Sequence, residues 1–300
     1  MVMKVLIRLL HQTVKRANVN CSGQNKGQKY LKHFGIMDFE LAKEKWIKEE
    51  VELKKKLICY EDDIDSDSKL TYPLKIGGAD LSFYKDDFHK AVCCYVVLEY
   101  QSQDQDEPKM IYKALEEVEL KAPYIPGFLT FRESNSIITA IKSQMESNPD
   151  VTPDFIMIDG NGIWHPRKFG IACHIGVEID VPTLGVAKNY YSLETHFSDP
   201  GEMTAKKSRE DLLEHFKDLE PGQELLMKHP KDDSVCGLAL RGSAKATKPV
   251  FVSVGHKISL LKAKNLTLRT TKHKVPEPIR QADIIGREQI RKMNNIQTKA

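Results

Sequence analysis

Two apolar runs in this chain run onto a carboxylate: "IGGAD" reaches Asp80 and "FIMID" reaches Asp159. An isolated buried charge is costly. A single such residue reads as a capping aspartate at a strand-to-loop turn, whereas two strands of one sheet carrying the feature point to a shared rim. Glu133, in "FLTFRE", is a third acid; alone it would only complement a helix dipole. Three carboxylates held close together repel one another and raise one another's pKa values. A hard divalent cation removes that conflict and keeps positions for water and phosphate oxygens. Mg2+ suits the role, with Mn2+ as a substitute. The chemistry that follows is metal-assisted phosphodiester hydrolysis.

Other residues in the same stretches fit that chemistry. Lys188 closes "PTLGVAK", where its amine can reach a phosphate or the attacking water; His165 follows Asp159 by one short loop; His256 follows "VSVG". Each alone is equally at home as a solvated or core-satisfied side chain. Gly160 and Gly162 permit a close approach of backbone to a ligand, or a tight turn. In "PYIPG", two prolines stiffen a loop carrying Tyr124 and Ile125. Apolar residues on a rigid projection can wedge between stacked bases, and can equally tuck onto a sheet.

Positioning these groups requires a sheet. Strands are predicted at 74–83, 90–100 and 109–120, with hairpin turns at 84–87 and 101–108, then at 154–159, 182–188 and in "VCGLALR" and "PVFVSVG". Helical spacing marks the segment from Asp38, with Glu44–Lys48, Glu50–Lys54 and Glu52–Lys56 pairs four apart. Further helices are predicted through 131–145, around 167–175, near 257–267 and over 279–292. "EDDIDSDSK" reads as a solvated acidic linker, and 192–232 as a polar excursion. Three antiparallel strands followed by strand–helix alternation describe a mixed α/β sheet covered on both faces. The first and fourth strands can then be neighbours, which would bring Asp80 and Asp159 to one rim. Residues 38–300 form one domain behind a basic arm, 1–37.

The 300 residues carry a net charge of only +3, so the total does not announce a nucleic-acid partner. Its distribution hints at a polyanion near one or both ends: no acid precedes Asp38, and none lies between Lys257 and Lys274. The arm could be a targeting peptide or a disordered basic tail. No apolar stretch is long enough to span a bilayer. Six cysteines without a CxxC pair argue against a disulfide framework or zinc site and suit a reducing compartment. Cytoplasm or nucleus (including nucleolus) is expected, with the mitochondrion as the alternative if the arm is a presequence. A monomer is expected.

Seven ordered blocks, "GGADLSF", "PYIPGFLTFRE", "IDGNGIWHPRKFGIACHIG", "PTLGVAK", "GLALR", "KPVFVSVGHKISL" and "PEPIRQAD", resemble the endonuclease V family, in its eukaryotic form. The resemblance covers roughly 38–290. It implies a ribonuclease H-like fold with Asp80, Glu133 and Asp159 around Mg2+, His165 and Lys188 near the scissile phosphate, and His256 as a further candidate ligand. Tyr124, Ile125 and Pro126 match the wedge that fills the gap left by a displaced inosine. Gly160, Asn161 and Gly162 match the turn whose backbone forms the base pocket, and Arg241 and Arg280 would face phosphates or brace the site. The implied reaction cuts the second phosphodiester bond 3′ to inosine, leaving 3′-hydroxyl and 5′-phosphate ends. Inosine-containing RNA, single-stranded or loosely paired, is the expected partner. The alternatives are a deoxyinosine- or structure-specific DNA nuclease, an idle inosine-RNA-binding module and, more remotely, a carboxylate-pair glycosidase.

Overall fold

The computed structural model describes residues 36–67, 69–104, 107–123, 125, 127–193 and 204–297. The arm up to residue 35, with its targeting expectation, and Tyr124 and Pro126 lie outside the described residues. Eight strands form one sheet: β1 (Leu74–Phe83), β2 (Lys90–Tyr100), β3 (Lys109–Glu119), β4 (Phe155–Ile158), β5 (Thr183–Ala187), β6 (Glu224–Lys228), β7 (Val235–Leu240) and β8 (Val250–His256). Their order is β3-β2-β1-β4-β5-β8-β7-β6. β1, β4 and β5 are parallel and every other pairing is antiparallel. The predicted adjacency of the first and fourth strands is therefore found, with Ala79 opposite Ile158.

Side chains alternate across a strand, and each face has its own helices. Ile76, Cys94, Met157, Leu184 and Val186 pack on one face with α6 (Leu260–Thr270) and α7 (Glu277–Gln297). Cys93, Tyr95, Ile156 and Ile158 pack on the other with α3 (Thr130–Ser147) and α4 (Ile171–Ile179). Helix α1 (Ile36–Lys54) lies against α4 through Leu53, Phe169 and Cys173. Cys93 and Cys94 thus point to opposite faces, and the described cysteines are free thiols. Among the described residues no helix is long and apolar enough to cross a membrane.

Four expectations change. The helix expected at 167–175 starts only at Ile171, because Gly170 is extended and packs where a Cβ would lie 2.3 Å from the Asn161 carbonyl oxygen. The 192–232 excursion contains α5 (Thr204–Lys217) and β6; their apolar residues are too few for a clear period, and burial of Phe216, with Leu212 packed on the cluster that holds Met227, stabilises them. The acidic linker docks rather than floats. Its short helix α2 (Ile64–Asp67) lies by the N-terminus of α6, where Asp62 accepts from Leu261 N at 2.8 Å and Asp67 from the Ser259 hydroxyl at 2.5 Å. In α1, Glu50 and Lys54 do not pair with each other; both reach Arg167.

Helix α7 runs alongside β1 at very close range. A Cβ on Gly78 would lie 2.3 Å from the backbone carbonyl of Pro278, and one on Gly286 would lie 2.7 Å from the Ser82 hydroxyl. Four strand residues and eight helical residues both advance about 12–13 Å, so helix and strand keep pace. Asp283 on α7 is thereby carried to the level of Asp80.

Candidate active site

Strand parity places the acids. Asp80 shares its face with Ile76, Asp159 with Met157, and Lys188 with Leu184 and Val186, so all three look toward α7. β1 continues three residues past Asp80, so Asp80 does not end its strand. Its flank opens because β4 stops at Ile158, after which Asp159 donates its N–H to the Ala79 carbonyl at 3.3 Å and the chain departs. Lys188 stands at the centre, with Nζ 2.7 Å from Asp159 Oδ2, 3.5 Å from Asp283 Oδ1 and 4.0 Å from Asp80 Oδ1. Arg287 Nη2 holds Asp283 Oδ1 at 2.8 Å.

Asp283 was not read from the sequence as a site residue. It sits one turn before Arg287, and such a pair in a helix looks like an ordinary surface ion pair. The available signal was its place in "PEPIRQAD", five residues after the proline that opens α7.

Burial, and then the neighbouring Asp159 carboxylate, push the Asp80 carboxyl well above the usual carboxylate range, with Lys188 opposing the rise. Glu133, in the first turn of α3, is raised to about 8 by burial; Arg132 opposes the rise and Asp159 adds to it. Burial disfavours the Lys188 ammonium, yet Asp159, Asp80 and Asp283 outweigh it and raise its pKa. Lys274 joins the rim by donating to the Lys188 carbonyl at 3.3 Å, and burial, then Lys248 and Lys188, lower its pKa.

These donors fit a hard divalent cation: carboxylates only, Asp80 buried and the others partly so, with Asp159 disfavouring the charge of both Asp80 and Glu133. Among the described residues no three acidic, histidine or cysteine side chains close round a single point as they stand. The Lys188 ammonium lies among three of the carboxylates instead and supplies the positive charge.

The turn after Asp159 crosses to the opposite face. Gly160, at φ +154°, Asn161 and Gly162 pass over β5 where a Cβ on Gly185 would meet the Gly160 carbonyl oxygen at 2.6 Å. Gly162 N donates to Ser253 Oγ at 2.8 Å, and the Asn161 side-chain oxygen is buried without a hydrogen-bond partner. His165 follows, buried, its ring stacked on Tyr191 at 6.3 Å and its Nδ1 accepting from Arg167 N at 3.4 Å.

Other expected site residues lie elsewhere or are already engaged. His256 corrects the reading of it as a metal ligand. It pairs with Thr183 at the start of β5, about 16 Å of strand from Lys188. Its Nδ1 accepts from Ile58 N at 3.2 Å and its Nε2 lies 3.4 Å from Asp180. Burial lowers its pKa, against the pull of Asp180. Of the expected wedge only Ile125 is described, and it is buried, as in the alternative in which the loop tucks onto the protein. Arg280 forks onto Glu277 at 2.7 and 2.8 Å, and Arg241 donates to the Leu219 carbonyl while its Nε is buried without a hydrogen-bond partner. The basic stretch from Lys257 to Lys274 is also largely engaged within the protein, as in Lys257–Asp180 and Lys264–Glu224, both at 2.7 Å.

A family model described as Endonuclease V matches residues 53–284. Endonuclease V of Mus musculus is 40% identical over 218 residues, 73% of this chain and 60% of that protein; the human protein is 36% identical over 221 residues, 73% and 72%. The chain thus matches a little over half the length of the mouse relative. Among solved structures, the catalytic domain of human Endonuclease V superposes with a TM-score of 0.73 at 32% identity, covering 85% of this chain and 98% of that one. Ciona intestinalis Endonuclease V, in complex with a 24mer DNA containing an inosine followed by a ribo-adenosine, superposes with a TM-score of 0.72 at 31% identity, covering 85% and 100%.

Proposed function

The chain belongs to the endonuclease V family, and from that premise we propose that it is a Mg2+-dependent endonuclease that cuts inosine-containing RNA. The observation that carries this reading is the convergence of Asp80, Asp159 and Asp283 on Lys188 at one sheet rim, with Glu133 beside them. A divalent ion held by these carboxylates would polarise the scissile phosphate and make a bound water acidic enough to attack at neutral pH. Arg287 fixes the rotamer of Asp283, and Lys188 trades its carboxylate partners for a phosphate oxygen as charge builds there. Lys248 and Lys274 add positive charge on the same rim for the flanking phosphates. The cut falls at the second phosphodiester bond 3′ to inosine, with 3′-hydroxyl and 5′-phosphate products.

Selection is assigned to the other face. The Gly160–Gly162 turn brings main chain close enough to read hypoxanthine, whose O6 accepts and whose N1–H donates, where adenine offers a donor instead. Displacing a base costs a few kcal/mol, less when inosine is poorly paired. The inosine followed by a ribo-adenosine in the Ciona complex supports a substrate with ribose beside the inosine. Matched RNA and DNA oligonucleotides, with and without one inosine, test the reading. Cleavage should require inosine and Mg2+, favour RNA and stop with EDTA; metal-independent or inosine-independent cutting would reject it, and equal cutting of DNA would shift the substrate to deoxyinosine.

The raised carboxyls give a pH dependence with a definite sign. An acid whose folded pKa exceeds its unfolded one destabilises the metal-free protein progressively as pH rises from the ordinary carboxylate range to about 8, the value for Glu133. Metal binding needs the deprotonated form, so it should release about one proton or more per ion near neutrality. Affinity for Mg2+ should therefore climb with pH and level off above about 8. Calorimetry in two buffers of different ionisation enthalpy counts the protons. A flat affinity between pH 6 and 9, without proton release, would remove the buried carboxylates from the ligand set.

A further inference from the structure

His229 is buried, at 1% exposure, in the turn that joins β6 to β7 at the edge of the sheet. Lys231 N donates to its Nδ1 at 3.3 Å, which leaves the ring proton on Nε2. That nitrogen lies 3.3 Å from the carbonyl oxygen of His165, 64 residues away. The same oxygen accepts from Lys168 N at 2.8 Å, closing a tight turn over 165–168. Lys168 stands in the left-handed region at φ +53°, a conformation that costs a non-glycine residue energy and persists only where contacts hold it. Its ammonium supplies them, donating to Asp232 Oδ2 at 2.5 Å and to Ser234 Oγ at 2.6 Å. Ser234 Oγ in turn donates to Asp232 Oδ1 at 2.8 Å. The β6–β7 turn thus grips both ends of the 165–168 turn.

That turn lies within a loop closed on the main chain assigned above to base selection. Gly170 N donates to the Gly162 carbonyl at 3.0 Å and Ala172 N to the Asn161 carbonyl at 3.1 Å, so 162–170 is one closed loop. Its near end is Gly162 and its far end is held by His229 and Asp232. We propose that His229 is a positioning residue for base selection: with Asp232 it anchors the 162–170 loop to the β6–β7 turn and so fixes the main chain of Gly160–Gly162 against an incoming inosine. The inference rests on the inosine reading above. Reading a base with main-chain groups demands a rigid backbone, because a hydrogen bond weakens steeply as its angle departs from the optimum. A side chain can turn to meet a ligand, whereas a peptide unit moves only with its neighbours.

The test uses the full chain with His229→Gln, His229→Leu and Asp232→Asn. Glutamine can place an amide N–H where the Nε2 proton stands, while leucine fills the space without a donor. Steady-state cleavage of a single-inosine RNA with Mg2+ gives KM and kcat, and the same RNA with adenosine in place of inosine serves as a competing inhibitor. Its Ki reports contacts that ignore the base. His229→Leu should raise KM roughly 5- to 10-fold, the scale of one hydrogen bond lost from base reading, with kcat changing less and Ki unchanged. His229→Gln should keep KM within about twofold of the parent, and Asp232→Asn should fall between the two. Folded His229→Leu protein with the parent's KM would overturn the inference. So would a glutamine variant as impaired as the leucine one, because the donor would then not be what matters. KM and Ki rising together would also overturn it, in favour of general damage. A parent that cuts the adenosine RNA as readily as the inosine RNA would instead overturn the functional reading beneath it.

Discussion

Asp159→Ala and Asp80→Ala should each lower cleavage of a single-inosine RNA by at least about 10³-fold, the scale expected when several kcal/mol of charge stabilisation at the phosphate are lost. Binding of the same RNA should survive. Asp159 and Asp80 hold Lys188 at 2.7 and 4.0 Å. Removing either carboxylate leaves that ammonium freer to meet a phosphate and removes one negative charge from a site that must accept a polyanion. The isosteric Asp159→Asn tests the charge separately from the space and should lose nearly as much activity. Single-turnover cleavage beside gel-shift affinity decides the matter. Weaker binding in step with activity would show that these aspartates build the RNA-binding surface, and cleavage within tenfold of the parent would remove them from the chemistry.

Gly78→Ala is expected to inactivate the protein without touching any reacting group. Its Cβ would lie 2.3 Å from both the carbonyl carbon and oxygen of Pro278, and backbone atoms cannot swing aside as a side-chain tip can. Helix α7 must lift, and Asp283 with it. Gly77→Ala is the internal control one residue away. It points to the other face, where it meets only the side chains of Ile156 and Tyr95 at 3.1 Å. We expect roughly 3 kcal/mol or more of destabilisation at Gly78 against about 1 kcal/mol at Gly77, with activity lost only at the former. Urea unfolding and cleavage assays on the pair measure both. Equal effects would mean that α7 is not held by this contact.

The legible parts were the apolar runs bounded by turn residues. β1 and β2 fall where such runs placed them, and both faces of each are buried, so the runs are nearly continuous. Asp80 and Asp159 stood out because a carboxylate in an apolar run contradicts its surroundings. Asp283 and Glu50 contradict nothing locally. Each sits on a helix beside oppositely charged residues, as surface side chains do, and their partners lie at other positions in the fold. The i,i+4 pairing of Glu50 with Lys54 failed for that reason: the Arg167 guanidinium offers Glu50 two bonds at 2.7 Å in a buried setting. His256 misled because it follows a strand by sequence, while only the strand's direction reveals which rim it occupies.

Local pattern in the chain was enough for the mixed sheet, the carboxylates that break their apolar runs, and a resemblance that the family match bears out. These are properties of short segments, in which burial and spacing are written residue by residue. Packing had to settle which face the acids look toward, that α7 brings a fourth carboxylate to them, that Lys188 sits at their centre, and that the β6–β7 turn reaches His165 and Lys168. Those are consequences of where segments a hundred residues apart come to rest. Their close contacts, such as Gly78 against Pro278, become visible only when the chain has packed.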